Sequence, residues 1–139
     1  NINKLRFKMD LQNKFEPIRD WANKRGLYDK GDMKTQFLKL SEEFGELGKA
    51  IMKKDEPEVI DAIGDCVVVL TNLAFLANKY FDEHRQETYL EDVAGDGGSQ
   101  LEQHNEDWIS IESCIESAYD VISARTGKMI NGTFVKDDK

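Results

Sequence analysis

The stretch PEVIDAIGDCVVVLTNLAFLANKY, residues 57–80, decides the fold. Drawn as a helix, it is apolar in nearly every direction from Ile60 to Ala77: Ile63, Cys66, Val67, Val68, Val69, Leu70, Leu73, Phe75 and Leu76. A helix apolar all round is one buried on most sides, so this is the central helix of an all-α domain. Asp61, Asp65 and Asn72 break the pattern, and their spacing of four and seven puts them on one narrow face. An isolated ionised carboxylate in such surroundings costs on the order of several kcal/mol, or else stays protonated. A divalent cation gives two of them, one turn apart, a reason to be there.

Upstream, a helix is predicted over about residues 34–53, with the stripe Phe37, Leu40, Phe44, Leu47, Ile51 at helical spacing. Asp32 is its expected N-cap, and Asp55 and Glu58 are spaced like a capping box before the central helix. A first helix is predicted over about 15–25, with Ile18, Trp21 and Ala22 inward and Gly26 as its cap, followed by a polar loop over 28–32. Downstream, residues 82–107 are charged and Gly-rich and read as an exposed excursion. A fourth helix over about 108–126 turns Ile111, Ile115, Ala118 and Ile122 inward, and the tail is expected across the bundle. The result is a four-helix bundle in one domain, residues 9–139, with 1–8 read as a leader outside it.

The carboxylates of the second helix face the same question as Asp61 and Asp65. At about 100° per residue, Gln36, Lys39, Glu43 and Glu46 share a strip bordering the apolar stripe, and Glu42 lies further towards solvent. Two adjacent helices can thus converge Glu43, Glu46, Asp61 and Asp65 on one point. All four offer hard oxygens, and His84 and His104 lie off these segments. That selects Mg²⁺ or Mn²⁺ over zinc or copper, and it disfavours a di-iron bundle. The competing account is ordinary ion pairing to Lys39, Lys49, Lys53 and Lys54. A calcium loop over 92–103 fails, because Ala94 and Gln103 stand where ligands are needed.

Composition narrows the partners. Nineteen Lys and Arg against 27 Asp and Glu give a net charge of −8, so no basic face for nucleic acid is expected. A small anionic ligand remains open, provided a cation accompanies it. No apolar run reaches the roughly 18 residues of a membrane span, so no membrane partner and no integral membrane protein are expected. Residues 1–8 have no signal-peptide core, and Cys66 and Cys114 form no CxxC, as expected of reduced thiols in a cytoplasmic protein.

Glu42-Glu43-x-x-Glu46 followed by Asp61-x-x-x-Asp65 resembles the MazG-like all-α nucleoside triphosphate pyrophosphohydrolases. Trp21-x-x-x-Arg25-Gly26 and Lys30-Gly31-Asp32-x-x-Thr35-Gln36-x-x-Lys39-Leu40 look like their small stand-alone phage and bacterial members. So does Arg125-x-Gly127-Lys128-Met129-x-Asn131-Gly132-x-Phe134-Val135-Lys136. The resemblance covers about 21–80 and 111–136. It implies Mg²⁺-dependent hydrolysis between the α and β phosphates, giving monophosphate and pyrophosphate. Glu43, Glu46, Asp61 and Asp65 would be metal ligands, with Glu42 at a second metal or as general base. Lys39, Arg125 and Lys128 would meet phosphate, and Gln36, Asn72 and Trp21 the rest of the substrate. A homodimer or homotetramer is implied, in the host cytoplasm if phage-encoded. One departure stands out: Ala62 occupies the place of a family Glu, and Asp61 is the candidate replacement. A dUTPase-like or phosphoribosyl-ATP-pyrophosphohydrolase-like relative remains open. So does a metal-stabilised interaction module without catalysis.

Overall fold

In the computed structural model, which describes residues 1–91 and 109–137, the chain is predominantly α-helical. Helices α1 (Ile2–Lys24), α2 (Leu27–Lys30), α3 (Met33–Lys53), α4 (Glu56–Glu91) and α5 (Ile111–Ile122) precede strands β1 (Gly127–Ile130) and β2 (Thr133–Lys136). The boundaries have local causes. Gly26, at φ 76°, lets the chain turn out of α1 in a conformation other residues resist. Asp32 caps α3, accepting from the Thr35 N–H at 2.8 Å and the Thr35 hydroxyl at 2.9 Å. Those bonds hold its carboxyl below the usual range. Asp55 accepts from the Glu58 N–H at 3.2 Å, opening α4 as the capping spacing predicts.

The core forms where α3 lies along α4: Leu40, Cys66 and Val69 are buried, with Leu47, Leu70 and Leu73 packed around them. Further along α4, helices α1, α2 and α5 close over it. Arg19 of α1 donates to both carboxylate oxygens of Glu112 on α5, one at 2.6 Å. Asn78 donates to the Ile109 carbonyl at 2.7 Å and accepts from the Ile109 N–H at 2.8 Å. That two-way clamp pins the chain where it re-enters, one residue before Ser110 caps α5.

Several expectations change. Helix α1 starts at Ile2, not near residue 15, so residues 2–8 continue the helix; Asn1 caps it by accepting from the Asn3 N–H at 2.9 Å. Ala22 is buried as expected, but Trp21 points out, with the Arg25 guanidinium 4.4 Å over its ring. The loop after Gly26 contains the single turn α2. Helix α4 runs through the first part of the excursion to Glu91. The remainder, including the stretch 92–103 and the start expected at Trp108, lies outside the described residues. In α5, Ile111 and Ile115 are half-buried, whereas Ala118 and Ile122 are exposed.

The tail does not lie across the bundle but pairs with itself. β1 and β2 are antiparallel, Met129 opposite Phe134, and turn through Asn131 and Gly132 at φ 51° and 81°. Two successive positive φ values are what a two-residue hairpin turn requires. Every residue of both strands is exposed. Length and composition of Glu56–Glu83 would also suffice for a membrane span, which uninterrupted apolar runs alone do not reveal. Helices α1, α2, α3 and α5 pack against α4.

Candidate functional site

Antiparallel packing sets the middle of α3 against the first turns of α4, and this decides which charges meet. Lys39 reaches Glu43 at 3.2 Å and Glu42 at 3.4 Å. Glu43 is largely covered, its side chain 13% exposed, while Glu42 is open to solvent. The bonds to Glu43 and Glu42 hold the Lys39 ammonium above its usual pKa. Across the helix contact, the Asp65 carboxyl is pushed up from the ordinary carboxylate range. Desolvation contributes most, although much of the residue faces solvent; Asp61 and Glu43 follow, and Lys39 opposes them. Beneath them Cys66 is buried, its thiol pushed up by that burial and then by Glu43 and Asp65. Glu43, Asp61 and Asp65 therefore act on one spot, with one lysine against three carboxylates.

Glu46 is not brought into that group by its present rotamer; its nearest cation is Lys49, at 3.8 Å on the same helix. Among the described residues, no three His, Cys, Asp or Glu side chains are gathered as a metal would need them. The donors fit a hard divalent cation in kind, being all carboxylate oxygens with a surplus of negative charge. They do not form a closed set while Glu43 is turned to Lys39.

The other candidates divide. Gln36 is half-buried on α3, three residues before Lys39. Asn72 is 2% exposed, and its Oδ1 accepts from the Tyr28 hydroxyl at 2.7 Å. Tyr28 in turn stacks on Phe75 with ring centroids 4.2 Å apart, and burial pushes its hydroxyl up to about 12. Asn72 thus ties α2 to α4. Tyr28 gives no signal of its own, because a one-turn helix has no periodicity to read. Arg125 and Lys128 are exposed at and beside the hairpin, whose strands make no substantial contact with α3 or α4. Ala62 is 2% exposed and turned into the core. Farther along the pair, a cleft of about 360 Å³ opens at Asp32, Lys34, Lys79, Tyr80 and Glu83. Lys79 stands roughly 21 Å along α4 from Asp65 at 1.5 Å per residue, so the cleft is separate from the carboxylates.

Residues 32–96, from the α3 cap through both carboxylate-bearing segments, match the family model described as the MazG nucleotide pyrophosphohydrolase domain. A protein of Haemophilus phage HP1 (strain HP1c1), described as an uncharacterized 18.2 kDa protein in the rep-hol intergenic region, is 47% identical over 66 residues. Those residues are 47% of this chain and 40% of the phage protein, so the match spans less than half of that relative. No solved structure matches at a significant level.

Proposed function

We propose, from the premise that residues 32–96 form a MazG nucleotide pyrophosphohydrolase domain, that the chain hydrolyses nucleoside triphosphates between the α and β phosphates. The products are a nucleoside monophosphate and pyrophosphate. The observation that carries this reading is the placement of Asp65 on α4 beside Asp61 and against Glu43 of α3, close enough that both carboxylates act on it. Carboxylates placed so that they repel are arranged for a cation rather than for stability.

Glu43, Glu46, Asp61 and Asp65 would hold that cation, Mg²⁺ with Mn²⁺ as substitute, once Glu43 and Glu46 swing from their lysines. A bound divalent ion supplies neutralisation of the phosphate oxygens and Lewis acidity. Glu42, exposed and less committed, accepts the proton of the attacking water as general base. Lys39, released from Glu43, turns its ammonium to a phosphate oxygen. Gln36 and the exposed Trp21 are left for the nucleoside. Assembly into a homodimer or homotetramer follows from an uncovered row. Phe37, Phe44 and Ile51 repeat every seven residues on α3 and are 58%, 52% and 55% exposed, whereas Leu40 between them is buried. Ile60 and Ile63 of α4 are open as well. Half of a seam is used inside the chain and half awaits another helix. The cytoplasm, with its nucleotide pool, is the compartment proposed.

A panel of nucleoside triphosphates with Mg²⁺ in ¹⁸O-labelled water tests the reading. Pyrophosphate release with label in the monophosphate is expected. Inorganic phosphate and a nucleoside diphosphate as products would refute it.

A further inference from the structure

We propose that the β1–β2 hairpin of one copy docks on the acidic α3/α4 face of a second copy, bringing Lys128 and Arg125 to its carboxylates. The catalytic consequence rests on the pyrophosphohydrolase reading; the docking itself does not. A two-stranded hairpin standing alone is marginal in water, and both of its edges offer unpaired backbone groups. This one is nevertheless well defined. Asn131 and Gly132 supply the turn, and a side chain at Gly127 would run into the Val135 carbonyl and the Phe134 ring. Met129, Ile130, Phe134 and Val135 are all exposed large apolar residues, and Val121 and Ile122 at the end of α5 extend the same exposure. A shape this specific with so little of it covered is built to be covered by something else.

Charge says by what. Arg125, Lys128 and Lys136 lie within twelve residues of a chain whose net charge is −8. None of the three has an ion pair among the described residues. The complementary surface is the face carrying Glu42, Glu46, Asp61 and Asp65, all exposed. There Lys39 pairs with Glu42 and Lys49 with Glu46, and among the described residues no ion pair reaches Asp61 or Asp65. Within a chain the strands make no substantial contact with α3 or α4. A second copy presents the same acidic face, and the uncovered Phe37, Phe44 and Ile51 row already asks for one. Delivery of two cations beside the carboxylates also suits a substrate that is itself a polyanion, since charge-assisted bonds to phosphate oxygens are strong.

The test separates docking from catalysis. In a Cys114→Ser background, which leaves only buried Cys66, Lys128→Cys is placed in a tagged copy and Glu42→Cys in an untagged one. A short bis-maleimide should join the two chains into a species of twice the mass on a denaturing gel. Absence of that species overturns the docking, whatever the turnover. Separately, Glu43→Gln and Lys128→Ala, each at least about tenfold slower alone as expected for a lost charge-assisted contact, are co-expressed. In a symmetric dimer, random pairing restores about one quarter of the intact sites. No recovery, or full turnover by Lys128→Ala alone, overturns delivery in trans. Cross-linking in a protein without any turnover would keep the docking and refute only the pyrophosphohydrolase reading.

Discussion

The two halves of α4 are alike in sequence and opposite in use. From Thr71 to Asn78 the helix is closed in: Thr71, Asn72, Ala74, Leu76, Ala77 and Asn78 are all buried. Each buried polar group there has a partner: Thr71 bonds back to the Val67 carbonyl at 2.7 Å, Asn72 takes Tyr28, and Asn78 takes Ile109. From Ile60 to Asp65 only Ala62 is buried, and the isoleucines and aspartates around it are left open. The covered half holds the domain together, and the open half carries groups that do not stabilise a single chain. An all-apolar helix is therefore no proof of burial on every side. Part of its surface is left open, as the proposed cation and second copy require.

The largest expected effect tests the open half. Asp65→Ala should lower pyrophosphate release by at least about a hundredfold, the scale of losing a charged partner of the reacting group. Calorimetric titration with Mn²⁺ should show binding lost with it. The melting temperature without added metal should not fall, because desolvation first, and then Asp61 and Glu43, push the removed carboxylate towards protonation. Parallel losses of stability and activity would erase the division between the halves.

Asn78→Ala tests the covered half and should do the reverse. It leaves the Ile109 N–H and carbonyl without their partner at a part-buried position. About 1–3 kcal/mol for such groups corresponds to a drop of roughly 4 °C or more by thermal unfolding in a domain of this size. Activity per folded molecule, measured well below the transition, should stay near that of the unaltered chain. A large loss of turnover in the folded protein would show that the clamp reaches the site.

Much of this division is legible in the amino-acid sequence, and the misses have physical reasons. Apolar spacing reveals α3 and α4 because both repeat over many turns, and Asp32, Asp55 and Gly26 mark boundaries by well-known chemistry. The carboxylates stand out because aspartates interrupt an apolar helix. Asp61 and Asp65 are nonetheless exposed, since apolar spacing does not tell that this part of the helix stays uncovered. Asn72 also stands out, since an amide there needs a partner, but its bond to Tyr28 is not legible because that residue comes from a single turn that leaves no pattern. Asn131-Gly132 signals the hairpin, but strands of four residues are too short for alternation to speak. Trp21, Phe37, Phe44 and Ile51 fit an inward stripe because hydrophobic spacing reports which residues leave water, not whether the same chain removes them.

The smallest expected effect concerns Asp61, and its sign is what matters. A raised Asp65 pKa means that the folded chain holds this proton more tightly than the unfolded one. Below the ordinary carboxylate range both are protonated and nothing is lost. As pH rises through that range the unfolded chain ionises first, so stability falls until the raised value is passed, and the full penalty remains at neutral pH. Asp61→Asn removes one cause of the shift. Without added metal, the melting temperature at neutral pH should rise by no more than about 2 °C, the scale of an exposed charge pair, and the acid-side slope should flatten. A helix-dipole role would lower it instead, but Asp61 is the sixth residue of a helix that starts at Glu56, and that effect fades within the first turn. Activity should fall all the same, since the proposed cation loses one of its carboxylates. Adding Ala62→Glu, the residue that the resemblance leads one to expect there, should not restore it: position 62 is 2% exposed in the core, and a carboxylate there is buried without a partner. Recovery of turnover by the double substitution would mean that the α3–α4 contact opens when the cation binds.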